Sequence, residues 1–275
     1  MKSWLGHSWG GFARWIWLLP ALGLLLSLPL WRHWTEPASM LWLNGWCRAL
    51  PDAVWTGFSL MGNAWGLLAL TAPLLWRAPR ALWAWLCAAP FAMAFTRLGK
   101  DFLESPRPAA RIDNELLRIV GEALHSASMP SGHTLTAFAV ASALYFSGSA
   151  ASPVRPRGRW LLWLLALGTG LSRIAVGAHW PGDVAVGLCL GVWSGLCGNV
   201  LLRRVPLAWY QPQHTALRCV ALLMLAAVYV LLADPLDFEE NQLLQRALAG
   251  WALLSVLRFA LLRWWPVQRP RGSDH

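Results

Sequence analysis

Eight apolar runs, at about 15–31, 57–76, 82–98, 132–148, 160–177, 183–202, 217–233 and 246–262, leave this chain few ways to fold. Each approaches the roughly 20 residues an α-helix needs to cross a bilayer core. Hydrocarbon offers the backbone no hydrogen-bonding partner, so long apolar runs of this kind cross it as helices. Charged residues are 13% of the chain and hydrophobic residues 57%, whereas soluble domains carry about 25% charged residues. The sequence therefore predicts an all-α, polytopic membrane helix bundle, one integral membrane domain over 1–275. Residues 38–50, ASMLWLNGWCRAL, are too short to span and are expected at the interface. The first run follows Lys2 and Arg14 but ends in SLPLWRHW, without a small-residue cleavage site, so it reads as a retained anchor.

A net charge of +10 would suit a nucleic-acid binder, but the basic residues are scattered through short loops between apolar runs. That is how membrane orientation is encoded, and nucleic acid is not an expected partner. If the loops alternate sides, thirteen basic residues fall on one side, among them Lys2, Arg14, Arg77, Arg80, Arg155, Arg157, Arg159, Arg203, Arg204, Arg218, Arg263, Arg269 and Arg271, with only Asp274 against them. The other side receives nine, mixed with most of the acids, including DPLDFEE at 234–240. An excess of Lys and Arg marks the cytoplasmic side, which places both termini there. Many of the 21 Trp flank the runs, including Trp4, Trp9, Trp15, Trp31, Trp34, Trp264 and Trp265, as expected of interfacial rings. Cys47, Cys87, Cys189, Cys197 and Cys219 show no metal-ligand spacing and read as small hydrophobes.

Ionisable residues near membrane depth are costly, so their clustering is informative. Three clusters stand out: KDFLESPRP with Lys100 and Arg107, PSGH with Ser131, Gly132 and His133, and SRIAVGAHWPGD with Ser172, Arg173, His179 and Asp183. His133 and Ser172 are 39 residues apart, room for two crossings of about 20 residues, so both emerge on one face. The first cluster lies in the loop leading into His133 and shares that face. By the charge count it is the non-cytoplasmic one. Two arginines and a lysine converging on a point suit a multiply charged oxyanion such as phosphate. Ser131 and Gly132 open a helix, where free N–H groups and the helix dipole attract anions. Of two histidines, one can attack and the other can carry a proton. Asp183, four residues after His179, can accept a hydrogen bond from that imidazole and fix its tautomer.

The combination Lys-x6-Arg-Pro, Pro-Ser-Gly-His and Ser-Arg-x5-His-x3-Asp resembles the signature of the type 2 phosphatidic acid phosphatase superfamily, with every fixed position present over 100–183. The resemblance implies a six-helix phosphatase core over about 57–202, with an extra C-terminal helix pair and tail over 203–275. It also implies that His179 attacks phosphorus to form a phosphohistidine while Asp183 orients it. His133 would protonate the departing oxygen and later activate water. Lys100, Arg107, Ser131, Gly132, Arg173 and Ser172 would hold the phosphate, with no metal and no other cofactor. A membrane phosphatase acting on a lipid phosphate or pyrophosphate at the outer leaflet of a bacterial inner membrane is thus the expectation. Undecaprenyl pyrophosphate, phosphatidylglycerol phosphate, phosphatidic acid and lipid A are the candidate substrates.

Taken singly, these residues have plainer explanations. Ser131 and Asp183 can be helix caps, Lys100 and Arg107 interfacial anchors, and His179 an interfacial histidine beside Trp180. Their joint order and spacing is what single explanations do not cover. Arg111 and Arg118 are expected to pair with Asp113, Glu115 and Glu122 of their own loop, and the role of DPLDFEE is open. The rival readings are a lipid-to-lipid phosphotransferase using the same site and a non-catalytic scaffold that binds lipid phosphates. A transporter is disfavoured because no internal repeat or pair of broken helices is visible.

Overall fold

The computed structural model describes residues 8–9, 12–32, 36–113, 115–147 and 158–264. Lys2, Arg155, Arg157, Arg269, Arg271 and Asp274, used above to orient the chain, lie outside the described residues, as do Trp4, Trp34 and Trp265. A two-residue antiparallel hairpin, β1 (Ser8–Trp9) with β2 (Phe12–Ala13), leads into α1 (Arg14–Arg32). The interfacial stretch forms a short helix, α2 (Pro37–Trp46), with Trp42 and Trp46 both 70% exposed. Buried Asn44 ties it to the rest. Its side chain donates to the carbonyls of Arg118, Ile174 and Ala175 at 2.9–3.1 Å and accepts from the Arg118 N–H at 3.0 Å.

The apolar run at 57–76 is not one helix. It is broken into α3 (Asp52–Leu60), α4 (Ala64–Leu70) and α5 (Leu74–Arg77). Local chemistry outweighs hydropathy here. Asn63 starts α4 as its cap, accepting from the Trp65 N–H at 3.0 Å, and Pro73 has no N–H with which to continue it. The break lets the chain turn at Gly62, where a Cβ would stand 2.8 Å from the His133 Cβ and 2.6 Å from Thr169 Cγ2.

The remaining helices follow the apolar runs: α6 (Pro79–Leu103), α7 (Gly132–Phe146), α8 (Arg159–Ala175), α9 (Pro181–Leu202), α10 (Thr215–Ala233) and α11 (Gln242–Trp264). Among the described residues, α6, α9, α10 and α11 are long and apolar enough to cross a bilayer. The α7 helix has 15 residues, about 22 Å at 1.5 Å per residue. The architecture is an all-α membrane bundle. One apolar cluster runs from Leu60 and Leu67 through Leu82, Ala88, Leu135 and Leu202 to Met224, Leu231, Ala252 and Phe259, so α10 and α11 pack into the same interior.

The closest pairing is between α7 and α9, and glycine makes it. Gly187, Gly191 and Gly195 repeat at four-residue spacing on α9. A Cβ on them would meet Ser131 O at 2.8 Å, Leu135 O at 2.5 Å and Ser142 Cβ at 2.5 Å. Small residues at such spacing let membrane helices pack backbone to backbone. The consequence is positional: the first turns of α7 and α9 lie together, and the Ser131 N–H donates to the Asp183 carbonyl at 3.1 Å. Gly191→Leu is expected to force these helices apart and to cost about 1–3 kcal/mol, the usual range for overpacking. A thermal melt in detergent would read this, and an unchanged midpoint would show that the contact is not tight.

Candidate active site

Six elements bring charge to one end of the bundle. Lys100 stands in the last turn of α6, Arg107 in the loop after it, His133 in the first turn of α7, and Arg173 in the last turn of α8. His179 and Asp183 flank the Pro181-Gly182 start of α9. Asp237 comes from the loop joining α10 to α11. Lys100 lies close enough to Arg107 and Arg173 for their charges to interact.

The backbone around His179 is tightly wound. The N–H groups of Ala178 and His179 both donate to the Arg173 carbonyl, at 3.0 and 3.1 Å. Gly177 adopts a φ of +78°, with the Arg118 carbonyl only 2.6 Å from where a Cβ would be. A side chain there has neither the conformation nor the room. The result is an imidazole that is 2% exposed and held from both sides. Its Nδ1 lies 3.3 Å from Asp183 Oδ2, and its Nε2 lies 3.3 Å from Arg107 Nη1. A guanidinium can only donate, so Nε2 is the acceptor and the ring proton sits on Nδ1, toward Asp183. That tautomer leaves the Nε2 lone pair facing the cations.

Asp183 is fully buried. Its Oδ2 accepts from the Trp180 N–H at 2.9 Å and from the Ser128 hydroxyl as well as facing His179. It lies in the first turn of α9, where it satisfies the N–H of the capping residue Trp180, and it is also the partner of the histidine. Arg107 is oriented by its own loop. Its Nε donates to Ser126 O at 2.8 Å, Nη1 donates to Ala178 O at 3.0 Å, and its backbone N–H donates to His125 O at 3.0 Å. Buried Arg173 donates to the Ser59 hydroxyl, its guanidinium lies 5.8 Å from the Phe238 ring centroid, and its Nε has no partner among the described residues.

Ser131 caps α7, its oxygen accepting from the Thr134 hydroxyl at 2.9 Å and the Thr134 N–H at 3.5 Å. Gly132 is the first residue of that helix. Ser172 stands apart from the others, because its hydroxyl donates to the Thr169 carbonyl in the preceding turn of α8. Arg118 pairs with Asp52 instead of the acids of its own loop.

Of four further residues at this end, only Asp237 carried a sequence signal, as part of the acidic DPLDFEE that the charge count put on the same face without a role. Ser128 holds Asp183, Ser59 holds Arg173, and Asn63 and Asp237 meet at 3.1 Å. Asp237 Oδ2 also lies 3.0 Å from His133 Nε2. Burial works to raise the Asp237 carboxyl. The hydrogen bonds from His133 and Asn63, with the charges of His133 and Arg173, outweigh it and hold the group well below the usual carboxylate range.

Residues 81–209 match the family model of the PAP2 superfamily. Over that segment the chain resembles members of the superfamily. The matched PAP2 segment contains Lys100, Arg107, Ser131, Gly132, His133, Ser172, Arg173, His179 and Asp183, and it stops short of Asp237. The chain is similar to the lipid A 1-phosphatase of Rhizobium johnstonii, with 40% identity over 84 residues, 29% of this chain and 31% of that protein. It is also similar to the bacitracin transport permease protein BcrC of Bacillus licheniformis, with 38% identity over 69 residues, 25% of this chain and 30% of that one. The crystal structure of Aquifex aeolicus LpxE is 27% identical, with a TM-score of 0.47 over 54% of this chain and 84% of that chain. The chain spans about a third of the length of the curated relatives it matches.

Burial, and then the positive charges of Arg107, Arg173, His133 and Lys100, hold the His179 imidazole well below its ordinary value. Each opposes protonation, so the neutral ring should persist as pH falls through 6.5, where a free histidine is half charged. With 15N-labelled histidine, the His179 signals are expected to show the Nδ1–H tautomer at pH 6. An imidazolium signal at that pH would contradict the arrangement.

Proposed function

We propose that this chain is a membrane phosphatase that hydrolyses a lipid phosphate through a phosphohistidine on His179. The observation that carries the reading is the placement of His179, with Nδ1 toward Asp183 and Nε2 toward Arg107. Nε2 attacks phosphorus in line, so an N–P bond forms as the P–O bond to the lipid breaks. His133 gives its proton to the departing oxygen. Neutral His133 then takes a proton from water as that water attacks the phosphohistidine, the N–P bond breaks and inorganic phosphate leaves. Lys100, Arg107 and Arg173, with the N–H of Gly132 at the start of α7, balance the charge on the phosphoryl oxygens. Ser131 supports the same helix start, while Ser172 takes a structural part in α8. No step needs a metal, because cations hold the phosphate throughout.

A lipid is favoured by an apolar cleft that opens beside His133. It runs between α4, α6 and α7 past Leu67, Trp85, Ala92, Met93 and Val140, with exposed Arg97 among its lining residues. A headgroup phosphate at the cations would leave its chain in this cleft. Among the candidates, the 1-phosphate of lipid A comes first, because relatives from Rhizobium and Porphyromonas carry that activity in their names. Undecaprenyl pyrophosphate, phosphatidylglycerol phosphate and phosphatidic acid follow. The charge count along the chain supports an inner-membrane protein with this site on the periplasmic side and both termini in the cytoplasm. The reading takes 57–202 as the catalytic core and 203–275 as an added pair and tail within a single membrane domain.

Purified protein in detergent, supplied with these lipids and EDTA, is expected to release phosphate. His179→Ala should lower kcat about 10³-fold or more, as loss of a nucleophile does in other covalent enzymes. Release abolished by EDTA, or equal in the variant, would refute the mechanism. Phosphate that appears only on an acceptor lipid would make the chain a transferase. Ala89→Trp, which fills the cleft, should raise KM for a long-chain phosphate about tenfold more than for a short-chain one, roughly the 1–3 kcal/mol at stake when pocket contacts are lost. Equal effects on the two would argue against the cleft as the seat of the chain.

A further inference from the structure

The loop between α10 and α11 reaches into the site from outside the segment that the PAP2 model matches. Asp237 sets a carboxylate oxygen 3.0 Å from His133 Nε2, and its position is built instead of incidental. Phe238 is 5% exposed, and Gly121, at φ +79°, passes so close that a Cβ there would lie 3.0 Å from its ring. The neighbouring Asn241 donates to the Thr56 carbonyl at 2.7 Å, and buried Gln245 donates to the Pro235 carbonyl at 2.8 Å. Asn63, the cap of α4, donates to the same Asp237 oxygen at 3.1 Å. The acidic loop is therefore pinned to α3, α4 and the active-site loop, and one carboxylate is aimed at one histidine.

We propose that Asp237 is the positioning residue of His133, as Asp183 is of His179, and that supplying it is a function of the C-terminal helix pair. This rests on the phosphatase reading above. A carboxylate can only accept, so Nε2 of His133 must carry a proton toward it. That leaves Nδ1 as the nitrogen that loses a proton to the departing oxygen and regains one from water. The charges around His133 make the partner necessary. Arg173 from α8 and Lys100 from α6 lie near enough to oppose a protonated ring, and His179 feels the charge of His133 in turn. Asp237 is the anion set against them at this ring. Without it, the imidazolium that delivers the proton would stand among cations alone.

A test must separate help to a proton donor from general support of the fold. Two synthetic phosphates with the same alkyl tail serve, one an ester of an alcohol and one of a nitrophenol. The alkoxide needs a proton to leave and the nitrophenolate does not. Asp237→Asn is expected to lower kcat on the alcohol ester about 10- to 100-fold, at or below the roughly 10²–10⁴-fold that general acid catalysis supplies as a whole, because the donor stays and only its partner is lost. The loss on the nitrophenyl ester should be at least tenfold smaller, KM should change less than about threefold on both, and Asp237→Glu should recover part of the loss. Equal losses on both esters would make the contact structural and overturn the proposal. A gain in activity would also overturn it, since the carboxylate would then be competing with phosphate for the cations. Unchanged kinetics would dismiss any role. The wild type and His179→Ala run alongside: if the wild type releases nothing from either ester, the phosphatase reading fails and this inference with it. A wild type that works beside an Asp237→Asn variant without leaving-group dependence sinks this inference alone.

Discussion

Positive charge gathered at one end of an apolar bundle is the constraint to which the rest of this structure answers. Lys100, Arg107 and Arg173 converge there, and Arg107 and Arg173 are almost wholly buried. Uncompensated charge in such surroundings costs several kcal/mol per ion even after relaxation. The protein meets this with oriented dipoles and very few counter-charges. The carbonyls of Ser126 and Ala178 take up Arg107, the Ser59 hydroxyl and the Phe238 ring take up Arg173, and two aspartates stand among the cations. The balance among these groups remains positive.

Both aspartates are directed at histidines. Asp183 takes the Nδ1 side of His179 and Asp237 the Nε2 side of His133. The rings are held by different parts of the chain. His179 belongs to the tight turn that opens α9, while the partner of His133 arrives from the far end of the sequence. The helix pair α10–α11 is thus joined to the rest twice, through the shared apolar interior and through a polar clasp at the site.

Precision at this end depends on the close approach of α7 and α9. Glycines at 187, 191 and 195 remove the side chains that would hold the two backbones apart. The two helix starts are then locked by the bond from Ser131 to the Asp183 carbonyl. A helix start supplies free N–H groups, so the approach that positions the histidines also concentrates anion-binding backbone. Gly62 and Gly177 do similar work in the turns, by admitting His133 and the Arg118 carbonyl where a side chain would not fit.

The bundle and most of the site were legible in the sequence because membrane physics is one-dimensional. Length and apolarity of a run announce a helix, and an ionisable residue at its end is conspicuous against that background. Lys100, Arg107, His133, Arg173, His179 and Asp183 therefore declared themselves by spacing alone, and they do share one end of the molecule. Where hydropathy and local signals disagreed, hydropathy misled. The run at 57–76 looked continuous, yet Asn63 and Pro73 break it. Ser172 fitted the motif, but its hydroxyl is taken by its own helix. Ser59, Asn63, Ser128 and Asp237 could not be assigned in advance, since each acts through a partner between 55 and 174 positions away. Local composition determines which segments become helices and which residues stand at their ends. Which side chain meets which histidine is decided only when the helices pack, because that pairing depends on distances no segment contains by itself.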